Sequence, residues 1–143
     1  MNRFMNCGKA IFLIFLLSAC GTPLHDYDPK NKKEKEIKSL LVQFTEYRNN
    51  YDVNNMASCL SDNCIINFYG GSLTKAGFVS RMKRNDLESK GKFKFTDPKF
   101  NIVDEIAQVS VRFRQGLTAF TVYFKMSREN SGWKISEWVE NCH

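Results

Sequence analysis

The sequence predicts an α+β domain in which a long N-terminal helix packs against an antiparallel sheet. Apolar and aromatic residues recur at helical spacing from Ile37 to Tyr51, which predicts one long amphipathic helix. From Phe93 onward, short stretches of alternating apolar and polar residues follow one another to the end of the chain. Such a helix followed by such strands predicts one helical layer on one sheet.

The first residues have the pattern of an export signal. Arg3 and Lys9 supply positive charge, and residues 10–17 form an unbroken apolar run. This run is shorter than the roughly 20 residues that a membrane-spanning helix requires, and its flanks fit a cleaved secretory signal. We therefore predict a lipoprotein-type signal peptide over residues 1–19.

The end of this signal carries a short motif. Leu17-Ser18-Ala19-Cys20 resembles the lipobox of bacterial lipoproteins. In that family the cysteine thiol receives a diacylglyceryl group, so the resemblance implies that Cys20 is lipidated and holds the protein on a membrane of the cell envelope. Gram-negative lipoproteins that stay at the inner membrane usually have Asp next, so Gly21 implies the outer membrane in such a source. The alternative is ordinary cleavage without lipid.

After cleavage 124 of the 143 residues remain, which is the length of one domain. They carry 19 basic and 15 acidic residues, an excess too small to indicate nucleic acid, which is also not expected as a partner of an exported protein. Residues 20–34 combine the lipidated cysteine with prolines and lysines and lack apolar periodicity, so we predict a flexible tether there. The folded domain is expected over residues 35–143.

Several elements are expected in this domain. The long helix should cover 34–50, Asn54 should cap a short second helix, and Thr74 should cap a third. A strand is predicted at 65–69, where Gly70-Gly71 ends it. Four further strands with short connections should form an antiparallel meander at 93–103, 107–115, 118–128 and 132–140.

This order of elements resembles the nuclear transport factor 2 superfamily, which includes SnoaL-like cyclases, ketosteroid isomerase and scytalone dehydratase. The segments 107–113 and 120–125, and Ser131-Gly132-Trp133-Lys134-Ile135, are similar to the last three strands of that family. The resemblance implies a cone-shaped, curved sheet wrapped around the long helix, with a mouth that can hold a ligand. It implies no particular reaction, because this fold carries enzymes, transport factors and binding modules.

Strand alternation suggests an acid inside the cone. Glu137 has the same parity as Trp133, Ile135 and Val139, so we expect its carboxylate on the apolar face with a raised pKa. Candidate ligand-binding residues are Glu137, Tyr69, Asn67, Trp133 and Phe113. The alternatives are a rim position for Glu137, a β-bulge that reverses its parity, and a solvent- or partner-facing strand for Asn67 and Tyr69.

The opposite sheet face combines cations with aromatic rings, as protein interfaces often do. Its candidate interface residues are Arg112, Arg114, Tyr123 and Trp138. In the resembling family this face often forms a homodimer, which we therefore expect. The alternative is a monomer whose long cationic side chains cover the rings.

Three cysteines remain in the mature domain, and export favours disulfides. Because three is odd, we expect one bond, joining Cys142 to Cys59 or Cys64, and one free thiol. No metal is expected, because the spacing of these cysteines and His143 matches no common zinc motif.

Three functions are compatible with these sequence features. The first choice is a membrane-anchored binding module for a small apolar or amphipathic ligand or an envelope protein. The second is an isomerase, dehydratase or cyclase that uses Glu137 with Tyr69. The third is an interaction or assembly factor that acts through the outer sheet face. We expect no cofactor and no catalytic residues, because the common catalytic motifs are missing and residues 37–141 contain no histidine.

Overall fold

The computed structural model describes residues 21–84 and 91–141. In these ranges the chain begins with a single 3-10 turn at Leu24–Asp26 and continues with three helices and six strands. The helices are α1 (Lys32–Asn49), α2 (Val53–Ser58) and α3 (Lys75–Arg84). The strands are β1 (Leu60–Phe68), β2 (Gly71–Thr74), β3 (Lys94–Val103), β4 (Ile106–Gln115), β5 (Thr118–Glu129) and β6 (Gly132–Asn141).

Polar side chains set the starts of the helices. Asn31 caps α1 by accepting a hydrogen bond from the Glu34 amide, and Thr74 caps α3 by accepting one from the Gly77 amide at 3.2 Å. The cap of α2 is Asp52 rather than the predicted Asn54. Because α2 ends at Ser58, the first strand begins at Leu60, five residues earlier than predicted.

The six strands form one curved, open sheet in the order β2-β1-β6-β5-β4-β3. The predicted antiparallel meander of β3 to β6 is confirmed. The other neighbouring pairs in the sheet are antiparallel except β1 and β6, which run parallel, so the predicted antiparallel sheet has one parallel pair. No short hairpin joins β1 to β6, and their relative direction is therefore free of the constraint that a tight turn imposes.

The curved sheet encloses α1, and the interior is filled by side chains. Ile37, Leu41 and Phe44 on α1 are fully buried, which confirms the predicted apolar stripe. The sheet contributes Phe95, Phe124 and the predicted core residues Trp133 and Ile135, and all four are buried. Large aromatic side chains in close mutual contact thus occupy the centre of the cone.

The chain before α1 packs against the domain and is not the flexible tether that its composition predicts. Leu24 is 3% exposed and belongs to the core. The Tyr27 ring lies 5.1 Å from that of Phe100, and the Tyr27 hydroxyl donates to Glu34 at 3.0 Å. Single apolar residues between prolines and lysines have no periodicity, which is why pattern analysis misses their burial.

Among the residues that the structure describes, no helix is long and apolar enough to cross a membrane.

Candidate functional site

A β-bulge at Ser136 determines which side chains form the site. Lys125 of β5 lies opposite Glu137, whereas the next residue, Met126, lies opposite Ile135. Ser136 is therefore the extra residue of β6, and its hydroxyl donates to the Lys125 carbonyl at 3.0 Å. An extra residue reverses the alternation of every side chain that follows it.

The bulge moves Glu137 to the outer face of the sheet, so its predicted position inside the cone is wrong. Its Oε1 accepts a hydrogen bond from Asn67 Nδ2 of β1 at 3.2 Å. Lys125 is its cross-strand neighbour. Val139 has the same parity as Glu137 and also leaves the core, where it was predicted to lie.

The same bulge moves Trp138 inward, so its predicted place on the outer interface is wrong. Trp138 is 7% exposed. Its ring lies 5.5 Å from Phe44, 5.4 Å from Phe78 and 5.6 Å from Phe124, measured between centroids. Its indole N–H has no hydrogen-bond acceptor among the described residues. Trp138 is thus a core residue that joins α1, α3 and the sheet.

The other predicted ligand residues do not gather around Glu137. Tyr69 lies in the turn between β1 and β2 and is 89% exposed. Trp133 is buried at the other end of the cone, and its indole Nε1 donates to Glu36 of α1 at 3.2 Å. Phe113 lies on the inner face, where its ring stacks on Phe93 and Phe120 at 5.1 and 4.6 Å. Asn67 alone contacts Glu137.

A groove on the outer face brings polar side chains of β3, β4, β5 and β6 together. It has a volume of about 440 Å³ and is open to solvent. One cross-strand row is Asn101–Gln108–Lys125–Glu137, and the next is Lys99–Ser110–Tyr123–Val139. We call this the outer groove. Two ammonium groups, one carboxylate, two side-chain amides and a phenol allow it to donate and accept hydrogen bonds along a bound chain.

Two of the predicted interface residues lie next to the outer groove, and Tyr123 lies in it. Arg112 and Arg114 lie on β4 opposite Thr121 and Ala119, on the same outer side. Tyr123 is 46% exposed, so its ring is available to a partner. The outer face therefore carries Arg112, Arg114 and Tyr123, as predicted. It carries Glu137 at the place where Trp138 was predicted.

The last strand places an acid, Glu140, on the inner side of the sheet, where the sequence pattern did not predict one. Glu140 follows the bulge, has the parity of Trp138 and lies opposite Val122. Burial raises the pKa of Glu140, and the nearby Arg81 partly offsets this rise. The Arg81 guanidinium lies 4.7 Å from the centre of the Phe68 ring. Glu140, Arg81 and Phe68 thus form a small charged cluster at the edge of the aromatic core.

The described part of the chain contains two free thiols, Cys59 and Cys64, both buried. Burial raises the pKa of both thiols, and that of Cys64 reaches about 11. The predicted partner Cys142 lies outside the described residues, as does the predicted lipidation site Cys20.

No family model and no curated protein matches the sequence. Solved structures do match. A nuclear transport factor 2-like (NTF2-like) protein from Cytophaga hutchinsonii is 15% identical with a TM-score of 0.68, covering 79% of this chain and all of its own. An NTF2-like protein of unknown function from Shewanella oneidensis is 18% identical with a TM-score of 0.68, over 74% of this chain and 96% of that one.

The fold is NTF2-like.

An NTF2-like fold by itself leaves the activity open. A putative scytalone dehydratase from Novosphingobium aromaticivorans also matches, with a TM-score of 0.64 at 9% identity, over 75% of this chain and 81% of that one. Identities this low show a shared architecture only. In the present NTF2-like domain the interior is packed with aromatic rings, and the polar features beside it include the outer groove and the Glu140 cluster.

Proposed function

We propose that the protein is an exported lipoprotein whose NTF2-like domain binds another protein of the cell envelope through the outer groove. The observation that carries this proposal is the contrast between the two sides of the sheet. The inner side is filled by buried rings such as Phe124 and Trp138. The outer side presents a groove of about 440 Å³ with exposed Tyr123 and the cations Lys99 and Lys125.

The chemistry of the outer groove favours a polypeptide over an apolar small molecule. Its polar side chains form two cross-strand rows, so donors and acceptors recur at strand spacing. Tyr123 adds an aromatic surface of the kind that is enriched at protein interfaces. Cations flank the single carboxylate, which favours a partner segment with net negative charge.

The anchoring part of the proposal rests on the lipobox-like sequence that ends at Cys20 and on the apolar run before it. Cys20→Ser should abolish metabolic labelling with a palmitate analogue and release the protein from sedimented membranes. Unchanged labelling and sedimentation of this variant would contradict the anchor. A Gram-negative host adds a further expectation, namely recovery with outer-membrane vesicles, because Gly21 follows the cysteine.

The binding part can be tested by site-specific photocrosslinking in intact cells. A photoreactive phenylalanine analogue at Tyr123 should yield a discrete adduct, whereas the same analogue at Gln43, on the exposed side of α1, should not. Lys125→Glu should reduce the Tyr123 adduct at least fivefold, because it reverses a charge inside the groove. Lys35→Glu on α1 is the matched control and should leave the adduct unchanged.

The mass of the adduct identifies the class of partner. An adduct with a second, different protein supports the proposal, and an adduct of twice the monomer mass shows that the groove forms the homodimer instead. Equal labelling from Tyr123 and Gln43 would contradict any specific role of the groove.

A second candidate function is the binding or conversion of a small amphipathic molecule at the Glu140 cluster. The observation that favours it is a partly desolvated carboxylate with a raised pKa beside a cation and an aromatic ring, since such groups serve as acids, bases or anchors. Glu140→Gln should weaken retention of a lipid-extract component without affecting the Tyr123 adduct. If Glu140→Gln abolishes both the retention and the Tyr123 adduct, or leaves both unchanged, a separate ligand site is contradicted.

A further inference from the structure

The residues that follow the predicted lipidation site are held on the edge strand β3 by Asp97. The Asp97 amide donates to the Thr22 carbonyl at 2.8 Å, and the Thr22 amide donates to Asp97 Oδ1 at 3.0 Å. Pro23 forms an isolated antiparallel bridge with Thr96. The Thr96 hydroxyl donates to the second carboxylate oxygen of Asp97 at 3.0 Å. We call this arrangement the Asp97 clamp.

The clamp constrains both residues that form it. Asp97 lies in a bulge of β3 with φ +54°, a left-handed conformation that is uncommon for any residue except glycine and that Asp tolerates better than most. Gly21 lies so close to the Asp97 carboxylate that a Cβ at position 21 would overlap it. The clamp therefore needs glycine at position 21.

Cations surround the clamp. Lys92 and Lys94 precede it, Lys99 follows it, and Arg112 and Arg114 lie on the adjacent strand β4. None of the five forms an ion pair within residues 21–84 and 91–141. We call these five residues the basic edge. By contrast, Glu105 at the other end of β3 and β4 is paired with Lys33 and Arg128.

An exposed apolar side chain lies beside the basic edge. Leu117, in the turn between β4 and β5, is fully exposed. It lies three residues after Arg114, which is the cross-strand neighbour of Lys94. Unpaired cations next to an exposed leucine are the combination that attracts a protein surface to anionic lipid.

We propose that the Asp97 clamp removes the free tether between the lipid and the domain, so that the basic edge and Leu117 lie against anionic phospholipid headgroups. This inference rests on the proposed lipidation of Cys20. Cys20 is two residues from the clamped Thr22, a separation of at most about 7 Å in an extended chain. Without the clamp, the first fixed residue would be the buried Leu24, and the chain from Cys20 could reach about 14 Å.

This difference in reach decides whether headgroup charge acts on the domain. At physiological ionic strength the attraction decays over about 8 Å. A clamped domain keeps the basic edge near the roughly 8 Å over which this attraction acts, whereas an unclamped domain would spend more of its time beyond that distance. The opposite edge of the sheet, strand β2, is five strand spacings from β3, or about 24 Å measured along the curved sheet. β3 and β2 should therefore differ in their contact with lipid.

The test compares tryptophan reporters at the two edges of the full-length acylated protein. Leu117→Trp reports from the proposed contact, and Ser72→Trp on β2 is the control at an exposed position. The proteins are reconstituted into phosphatidylcholine vesicles containing 30% phosphatidylglycerol and lipids with brominated acyl chains, which quench nearby tryptophan. Trp133 and Trp138 are buried, so the wild-type protein supplies their background.

We expect at least twofold stronger quenching of Leu117→Trp than of Ser72→Trp, and a smaller difference in vesicles without phosphatidylglycerol. Adding Asp97→Gly should halve the Leu117→Trp quenching, because glycine accepts φ +54° and only the carboxylate is lost. Asp104→Gly is the matched control: Asp104 has φ +52° but lies outside the clamp. Adding Lys94→Gln and Arg114→Gln should weaken the dependence on phosphatidylglycerol, because it neutralises two of the five cations of the basic edge.

Acyl labelling of the same preparations separates the two proposals. A labelled, membrane-bound protein with equal quenching at both edges, or with quenching unaffected by Asp97→Gly, overturns the present inference and leaves the anchor standing. A wild-type protein that carries no acyl label overturns the anchor and this inference together.

Discussion

Asn67 of β1 donates a hydrogen bond to Glu137 of β6 over 3.2 Å, on the outer face of the sheet. Both residues were candidate ligand-binding residues of the cone. Their actual position puts a hydrogen-bonded polar pair at the side of the outer groove, next to Lys125.

Replacing Glu137 should therefore have little effect on folding. Glu137→Gln keeps an oxygen that can accept from Asn67 and removes only a charge near solvent, so the free energy of unfolding should change by less than about 0.5 kcal/mol. Urea unfolding followed by far-ultraviolet circular dichroism measures this change. A loss above about 2 kcal/mol would show that the carboxylate is buried after all.

Trp138 should behave in the opposite way. Trp138→Ala empties the space between Phe44, Phe78 and Phe124, and should lower the free energy of unfolding by about 3–5 kcal/mol. Trp133→Ala should cost a similar amount, because Trp133 is also buried. Tyr123→Ala is the control on the outer face and should cost about 1 kcal/mol or less. If Trp138→Ala disrupts only self-association, the inward assignment of Trp138 is wrong.

Glu140 should make stability depend on pH. Burial raises its pKa in the folded chain above the ordinary 4.5, so the folded state binds this proton more tightly than the unfolded state. Its contribution to stability is then fully present below pH 4.5 and is lost as the pH rises through the raised value.

Comparing Glu140→Gln with wild type should reveal this pH-dependent contribution of Glu140 to stability. The variant should match wild type at pH 4 and be equally or more stable at pH 7, in thermal melts over that range. Arg81→Gln removes the cation that partly offsets the raised pKa of Glu140. This variant should therefore lose more stability than wild type between pH 4 and pH 7. A Glu140→Gln variant that becomes relatively less stable as the pH rises would contradict the assignment.

The cysteine pairing remains a prediction, because Cys142 lies outside the described residues. Thiol titration of the unfolded, unreduced mature protein should find one free thiol among Cys59, Cys64 and Cys142. Cys59→Ala and Cys64→Ala, assayed separately, should identify the partner: replacing the unpaired cysteine leaves no free thiol. Three free thiols in the unmutated protein would refute the bond.

The folded protein offers an independent check on Cys64. Burial raises the pKa of its thiol to about 11, so a free Cys64 should react with iodoacetamide far more slowly in the native state at pH 8 than after unfolding. Fast native alkylation of Cys64 would contradict its burial.

Apart from β2 and the 3-10 turn, the element order was predictable from the sequence because helix and strand periods are strong local signals. The stripe from Ile37 to Phe44 and the alternation from Ala107 to Phe113 leave little choice of secondary structure. The parallel pairing of β1 with β6 was not predictable in this way, since it joins segments about 70 residues apart without a defining turn.

The last strand shows why the site was harder to predict. In Ile135-Ser136-Glu137-Trp138-Val139-Glu140, the odd-numbered residues are two aliphatic residues and an acid, and the even-numbered residues are a serine, a tryptophan and an acid. Hydrophobic alternation therefore cannot locate the bulge, and the packing of the core determines which residues of the strand point inward. Trp138 fills the space between α1 and α3, which Val139 is too small to fill. Glu137 and Glu140 exchange their expected roles as a result.

The bridge between Pro23 and Thr96 also bears on aggregation. The unpaired backbone of an edge strand is a template onto which another chain can add a strand. The segment at Thr22 and Pro23 covers part of the β3 edge, and Pro98 lacks an N–H group with which to continue the ladder. The other edge, β2, is only four residues long. Both edges of the sheet are thus poorly suited to edge-to-edge pairing between copies of this chain.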